Sequence, residues 1–234
     1  MQLSSQPQTS GRFSMHRLVE DPTRRFLLLL LLADLAFFAV HLAQSPDGVF
    51  DEPRFRLDWD RGYAETFQYL KELWIVALLG HLALRDRSLL YAVFAGLFAY
   101  LGLDDSVRLH ERVGGGVLGA RLPDVPTPGG VLSGYDWGQA LYAFAVGLAF
   151  LLLVALVYRR SPAGNRRVAR TLILLLAVLA GFGVATDILN ALLPDGPWDP
   201  VFVFTEEAGE HLVMTAALGY LFILSGRPGA TSHA

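Results

Sequence analysis

Long runs of apolar residues alternate with shorter polar segments along the chain, and this pattern predicts transmembrane helices. The runs FLLLLLLADLAFFAVHLA and TLILLLAVLAGFGVA are typical of segments that cross a membrane. Four further segments show the same pattern. We therefore expect six spans, at about residues 25–42, 63–84, 88–103, 137–158, 170–192 and 201–225.

The predicted fold class is an all-α integral membrane protein, a bundle of six transmembrane helices. It divides into a polar N-terminal segment (1–24), the membrane domain (25–225) and a short tail (226–234). The third span has few apolar residues, but LDDSVRLHERV continues it without a helix breaker. We expect that helix to run on until glycines 114–116 stop it.

Arginines predict the orientation of the bundle, because basic residues concentrate in cytoplasmic loops. Four basic sites fall on one predicted face, which should therefore be cytoplasmic, together with both termini. The loops of the opposite face also contain arginines, at positions 54, 56, 61 and 121, but acidic residues offset most of them. The expected location is a bacterial-type inner (cytoplasmic) membrane, crossed several times. The residues concerned are Arg24, Arg25, Arg85, Arg87, the arginines of YRRSPAGNRRVAR, and Arg227.

The composition of the chain excludes several kinds of functional site. The chain contains no cysteine, which excludes disulfides, thiolate metal sites and iron–sulfur clusters. Its formal net charge of −3 is too small to suggest a nucleic-acid partner. The expected partners are instead the membrane, a lipid or another lipophilic molecule, and, in one alternative below, a membrane protein.

Polar side chains within the six segments gather on the side opposite the arginines, predicted to be periplasmic. An isolated carboxylate inside a span costs roughly 2.5–3.5 kcal/mol, so such residues are usually paired and functional. Many of them together need bound cations, shared protons, arginine partners or water. The set comprises Asp34, His41, Glu65, Gln68, Glu72, Asp104, Asp105, His110, Glu111, Asp136, Asp187, Asn190, Glu206, Glu207, Glu210 and His211.

These side chains predict a metal site. Glu207, Glu210 and His211 follow the spacing i, i+3 and i+4 and so share one helix stripe, while Glu72 lies too deep in its span to be a helix cap. Carboxylates and histidines without cysteine are ligands of iron, manganese or zinc, here as one ion or a dinuclear pair. The predicted ligands are Glu72, Asp105, His110, Glu111, Asp187, Glu207, Glu210 and His211, with Glu206 and Asp104 as candidates for the general base.

The ligand types resemble those of four-helix di-iron carboxylate proteins, which use Glu-x-x-His motifs. Here Val107 stands three residues before His110 and Ala208 three before His211, so the chemistry is shared but family membership is not implied. A plainer alternative is an ion-pair ladder along one helix face through residues 104, 108 and 111. That ladder would leave Asp105 and His110 unexplained.

The predicted function is metal-assisted chemistry, redox or hydrolytic, on a lipophilic molecule. An ion or proton transporter is the alternative, but it would need polar residues through to the cytoplasmic half or a broken helix at mid-membrane. The cytoplasmic halves carry few polar residues, His81 being the main exception. A third hypothesis is an accessory subunit of a larger membrane complex, which would bind a pigment, haem or a protein partner.

Overall fold

The structure is a computed structural model that describes residues 22–44, 52–127, 130–192 and 198–227. Six α-helices form most of this part of the chain. The prediction of an all-helical chain is confirmed, apart from a short antiparallel hairpin of β1 (Val125–Thr127) and β2 (Gly130–Leu132). The helices are α1 (Pro22–Ala43), α2 (Tyr63–Arg85), α3 (Leu89–Val107), α4 (Gly134–Tyr158), α5 (Ala163–Leu192) and α6 (Asp199–Ser225).

Within the described residues, four helices are long and apolar enough to cross a membrane: α1, α3, α4 and α6. Large apolar side chains on their surfaces, such as Leu32 and Phe144, are exposed. Contact with lipid removes these side chains from water, which is favourable. The chain therefore has the helices of a multi-pass membrane protein. The other two helices, α2 with 23 residues and α5 with 30, are long enough but do not meet that criterion.

Helices α2 and α6 occupy the centre of the bundle. Helix α2 contacts α3 and α6, and α6 also contacts α1 and α5. In the apolar window of α6, 56% of the residues are buried, against 6% in α4, so α4 lies at the periphery. The main apolar core lies between α2, α3, α5 and α6 and includes Ile75, Leu79, Leu82, Phe94, Phe98, Leu172, Leu218 and Leu221.

The two ends of the bundle differ in charge. At one end the α2–α3 turn and the α4–α5 turn bring Arg87 and Arg160 to the rim of one pocket. Beside it, Arg85 donates to the backbone carbonyls of Ser225 and Arg227, each at 2.9 Å. We call this the arginine end. The start of α2, the end of α3 and the start of α6 lie at the opposite end, which we call the site end.

Helix α3 ends earlier than its sequence predicts. Arg108 adopts the left-handed conformation (φ 54°) and ends the α-helix at Val107. A π-helical segment, His110–Leu118, follows and contains the glycines, so the prediction of one continuous helix up to the glycine run is wrong. A Cβ on Gly114 would lie 2.9 Å from the carbonyl oxygen of Gly138. These glycines therefore allow the π-helical segment to pack closely against α4.

Candidate functional site: an acidic cavity at the site end

A polar cavity of about 330 Å³ lies at the site end of the bundle. Its walls come from α2, α3, α6, the start of the π-helical segment and the loop before α2. No lysine or arginine is among the described residues that line it. We call it the acidic cavity. Five of the predicted site residues line it: Asp105, His110, Glu207, Glu210 and His211.

Glu72 lies directly behind the lining and is 2% exposed. The charges of Asp105 and Glu210 oppose a negative charge on Glu72, and the charge of Lys71 favours it. The Asp105 carboxyl lies within hydrogen-bonding reach of Glu72, but among the described residues no N–H or hydroxyl group donates to either of its carboxylate oxygens. The amide oxygen of Gln68, which lines the cavity, has no partner among the described residues either. Buried polar atoms in folded proteins are nearly always hydrogen-bonded, so these oxygens call for a proton, a water molecule or an ion.

Four acidic residues from three helices thus converge: Glu72 of α2, Asp105 of α3, and Glu207 and Glu210 of α6. We call them the carboxylate cluster. Within the described residues, none of the four forms an ion pair with lysine or arginine. Because like charges oppose one another strongly in a low-dielectric interior, the cluster requires cations or protons to balance it.

His110 is held by Asp104 through two contacts. Its backbone N–H donates to Oδ1 of Asp104 at 2.8 Å, and its ring Nδ1 lies 3.1 Å from Oδ2. A carboxylate only accepts, so the ring of His110 donates from Nδ1. Histidines that bind metal ions are commonly oriented by a carboxylate in this way. His110 therefore lines the acidic cavity with its ring oriented by Asp104.

The left-handed turn at Arg108 separates the residues of the expected ion-pair ladder. Arg108 pairs with Glu111 at 3.5 Å and with Asp60 of the preceding loop. Asp104, which an unbroken helix would place near Arg108, bonds to His110 instead. Glu111 consequently faces arginine rather than the acidic cavity.

A second polar group lies next to the acidic cavity, inside the bundle. Lys71 of α2 lies 3.0 Å from Oδ1 of Asp34 and 3.0 Å from Nδ1 of His211, and both Lys71 and Asp34 are fully buried. Thr215 donates its hydroxyl to Oδ2 of Asp34 at 2.5 Å. We call Lys71, Asp34, His211 and Thr215 the lysine network. The sequence does not single out Lys71, because its partners come from α1 and α6 and only helix packing brings them together.

The loop before α2 forms the rim of the acidic cavity and is held by its own charges. Arg56 donates two hydrogen bonds to Asp58, at 3.0 and 2.5 Å. Burial acts to raise the pKa of Asp58, but the Arg56 guanidinium outweighs it and holds that pKa below its usual range. Glu65 accepts from the Tyr69 hydroxyl at 2.5 Å and from a backbone N–H of the loop. Asp58 is therefore ionised at neutral pH, as one half of an ion pair with Arg56.

Three further predicted site residues, Glu206, Asp104 and Glu111, are not part of the cavity wall. Oε1 of Glu206 lies over Gly183 of α5, where a Cβ would be 3.6 Å away. Asp104 holds His110, and Glu111 pairs with Arg108. The side chain of Asp187 lies outside the described residues. Among the residues described, no group of three or more acidic or histidine side chains is already placed closely enough to hold a metal ion.

The chain belongs to the family described as a domain of unknown function (DUF8692), whose model matches residues 24–224. The match spans all six helices. Searches of the curated proteins and of the solved structures give no significant match.

Proposed function

We propose that this chain is a membrane-embedded metalloprotein whose carboxylate cluster binds iron, manganese or zinc. The observation that carries the proposal is the convergence of four carboxylates from three helices without a lysine or arginine partner in the described structure. One divalent cation would balance two of the four carboxylate charges and a dinuclear pair would balance all four, and either would draw together side chains that otherwise repel one another. The buried, unpartnered oxygens of Glu72 and Gln68 support the same interpretation.

The chemistry of the donors favours this class of metal. Carboxylate oxygens with an imidazole nitrogen suit iron, manganese and zinc, whereas a site built only of oxygens suits magnesium and calcium. His110 supplies the imidazole, with Asp104 as its orienting partner. The proposed ligands are therefore Glu72, Asp105, His110, Glu207 and Glu210. Three of the ligands predicted from the sequence are left out of the proposed set. Glu111 faces Arg108, the side chain of Asp187 is not described, and Nδ1 of His211 lies against the Lys71 ammonium.

The proposed topology is six spans with both termini in the cytoplasm of a bacterial-type cell. Helices α2 and α5 have span length, and both connect helices that are apolar enough to cross a membrane. The turns at the arginine end carry basic residues with few acids, as cytoplasmic loops do, whereas arginines of the site end, such as Arg56 and Arg108, are paired with acids. The acidic cavity then opens towards the periplasm.

The proposed reaction is metal-assisted redox or hydrolytic chemistry on a lipophilic substrate. Trp59 lines the acidic cavity and is 45% exposed, as aromatic residues often are at the membrane interface where such a molecule would enter. A bound ion would supply Lewis acidity or redox capacity. Glu206, next to Glu207 and Glu210, is the proposed base. Asp104, whose two oxygens hold His110, is assigned to orientation instead.

The interior beyond the lysine network argues against transport across the membrane. Described residues of α2, α3 and α6 from there to the arginine end form a tightly packed apolar core, with Ile75, Phe94 and Leu218 each 0% exposed. A transporter would need polar groups or a broken helix along this route. A role as an accessory subunit of a membrane complex is compatible with the same cavity. Metal binding that is lost when Glu72 is substituted would argue against that role.

Isothermal titration of Mn²⁺ and Zn²⁺ into chelator-treated, detergent-solubilised protein tests the proposal. We expect saturable binding that Glu72→Gln and Glu210→Gln each weaken by at least roughly 10-fold, since even the partners of metal ligands contribute about 10–100-fold. Glu111→Gln is the matched control, because this acid faces Arg108 and lies outside the cavity wall. Binding that is absent, or equally weak in all three variants, would refute the proposal.

A further inference from the structure

In the two histidines that line the acidic cavity, Nδ1 faces a hydrogen-bond acceptor in one case and a hydrogen-bond donor in the other. Nδ1 of His110 lies 3.1 Å from the Asp104 carboxylate, which accepts hydrogen bonds. Nδ1 of His211 lies 3.0 Å from the ammonium group of Lys71, which only donates. The same ring atom therefore carries a proton in His110 and a lone pair in His211.

The contacts of Lys71 determine this assignment for His211. A lysine ammonium has three N–H donors, and three acceptors surround Nζ at normal distances: Oδ1 of Asp34 at 3.0 Å, the backbone carbonyl of His211 at 2.9 Å, and Nδ1 of His211 at 3.0 Å. The oxygen of Thr215 is more distant, at 3.5 Å. Every donor of the ammonium is used when Nδ1 accepts.

The opposite tautomer fits the geometry less well. A proton on Nδ1 would point towards the Lys71 ammonium, and its alternative acceptor, Oδ1 of Asp34, is more distant at 3.3 Å. That oxygen is already bonded to Lys71, and the other oxygen of Asp34 accepts from Thr215. Lys71 and Asp34 also neutralise each other, so His211 needs no charge of its own to balance the network.

We propose that Lys71 and Asp34 are positioning residues that fix His211 as the Nε2–H tautomer. His211 then donates a hydrogen bond to an oxygen atom in the acidic cavity and is not a metal ligand, in contrast to its role in the sequence prediction. Nδ1 is occupied by the network, so Nε2 is the ring nitrogen left for the cavity that His211 lines. The proposal rests on the proposed function only in taking that cavity as the site of chemistry.

The tautomer can be measured directly. The full chain, labelled with ¹⁵N-histidine and held in detergent micelles, gives two-bond ¹H–¹⁵N correlations that distinguish the protonated from the unprotonated ring nitrogen. His211→Gln and His110→Gln assign the two signals. We expect Nε2–H for His211 and Nδ1–H for His110 in the metal-free protein. His211 protonated on Nδ1 in the native chain would overturn the proposal.

Two variants test whether Lys71 determines the tautomer of His211. Lys71→Met removes the donor and leaves Asp34 as the polar partner of Nδ1, so His211 should change to the Nδ1–H tautomer. Thr215→Val removes a partner of Asp34 without touching Nδ1 and should leave the tautomer unchanged. An Nε2–H tautomer that persists in Lys71→Met would contradict the role of Lys71. The native measurement decides the tautomer even if that variant does not fold, and it does not depend on whether the protein binds a metal.

Discussion

The carboxylate of Glu72 lies over Gly102 of α3, where a Cβ would come within 2.7 Å of Oε2. Glycine at this position lets a buried acid of α2 reach across the helix interface towards Asp105. The contact joins the packing of α2 and α3 to the geometry of the carboxylate cluster. Gly102→Ala should therefore displace Glu72 and weaken Mn²⁺ binding, measured by calorimetry.

A glycine on the same helix provides the control for that substitution. A Cβ on Gly96 meets no atom within 4 Å, so Gly96→Ala should leave metal binding unchanged. It should also raise helix stability slightly, since alanine is favoured over glycine inside a helix by about 0.5–1 kcal/mol. Equal affinities in the two variants would mean that Glu72 is not a ligand or that it accommodates the methyl group.

Mutual repulsion in the carboxylate cluster should appear in the stability of the metal-free protein. Glu72→Gln and Glu210→Gln each remove one acid from the pair whose charges act on each other. In the presence of a chelator, each variant should unfold at a higher temperature than the native chain. The gain in stability of the double variant should be smaller than the sum of the two single gains. With saturating Mn²⁺ the order should reverse. Additive effects that do not respond to metal would show that the two acids do not share a cation.

Removing one charged partner of the lysine network should lower the free energy of unfolding. Lys71→Met leaves the Asp34 carboxylate buried without its cation, and loss of one partner of a buried ion pair typically destabilises by about 3–5 kcal/mol. Lys71→Met/Asp34→Leu removes both charges and should recover most of that loss. The free energy of unfolding in a denaturant titration gives the comparison. A double variant as unstable as Lys71→Met would indicate that packing, and not the ion pair, sets the cost.

The topology makes a separate prediction. If the arginine end is cytoplasmic, a reporter that is active only in the periplasm should give no signal when it is fused after residue 234. The same reporter inserted in the hairpin between β1 and β2, after residue 128, should be active. The reverse pattern would place the acidic cavity on the cytoplasmic side.

The apolar pattern located the helices well, because crossing hydrocarbon requires a long and nearly uniform segment. Helix α6 was predicted at 201–225 and is found at Asp199–Ser225. The start of α5 was missed by seven residues. The helix begins at Ala163 and includes Arg166 and Arg167, which are polar enough to hide a helical segment from a hydropathy pattern.

Contacts between helices could not be predicted in the same way. The partners of Lys71 lie 37 and 140 residues away in the chain, and only helix packing brings them together. The end of α3 depends on a left-handed arginine at 108, a conformation that its residue type does not favour. This turn also decides that Asp104 bonds to His110 and that Glu111 does not reach the cavity. Sequence spacing on an assumed straight helix gave the Arg108–Glu111 pair correctly but placed Asp104 beside Arg108, where it does not lie.

The metal content of the protein, purified in mild detergent without chelator, tests the central claim most directly. Mass spectrometry of the native chain should find iron, manganese or zinc near stoichiometry. Glu72→Gln/Glu210→Gln should lose most of that metal, while Glu111→Gln should retain it. Folded native protein that carries none of these three metals, or a double variant that keeps its full content, would contradict the assignment of the carboxylate cluster as a metal site.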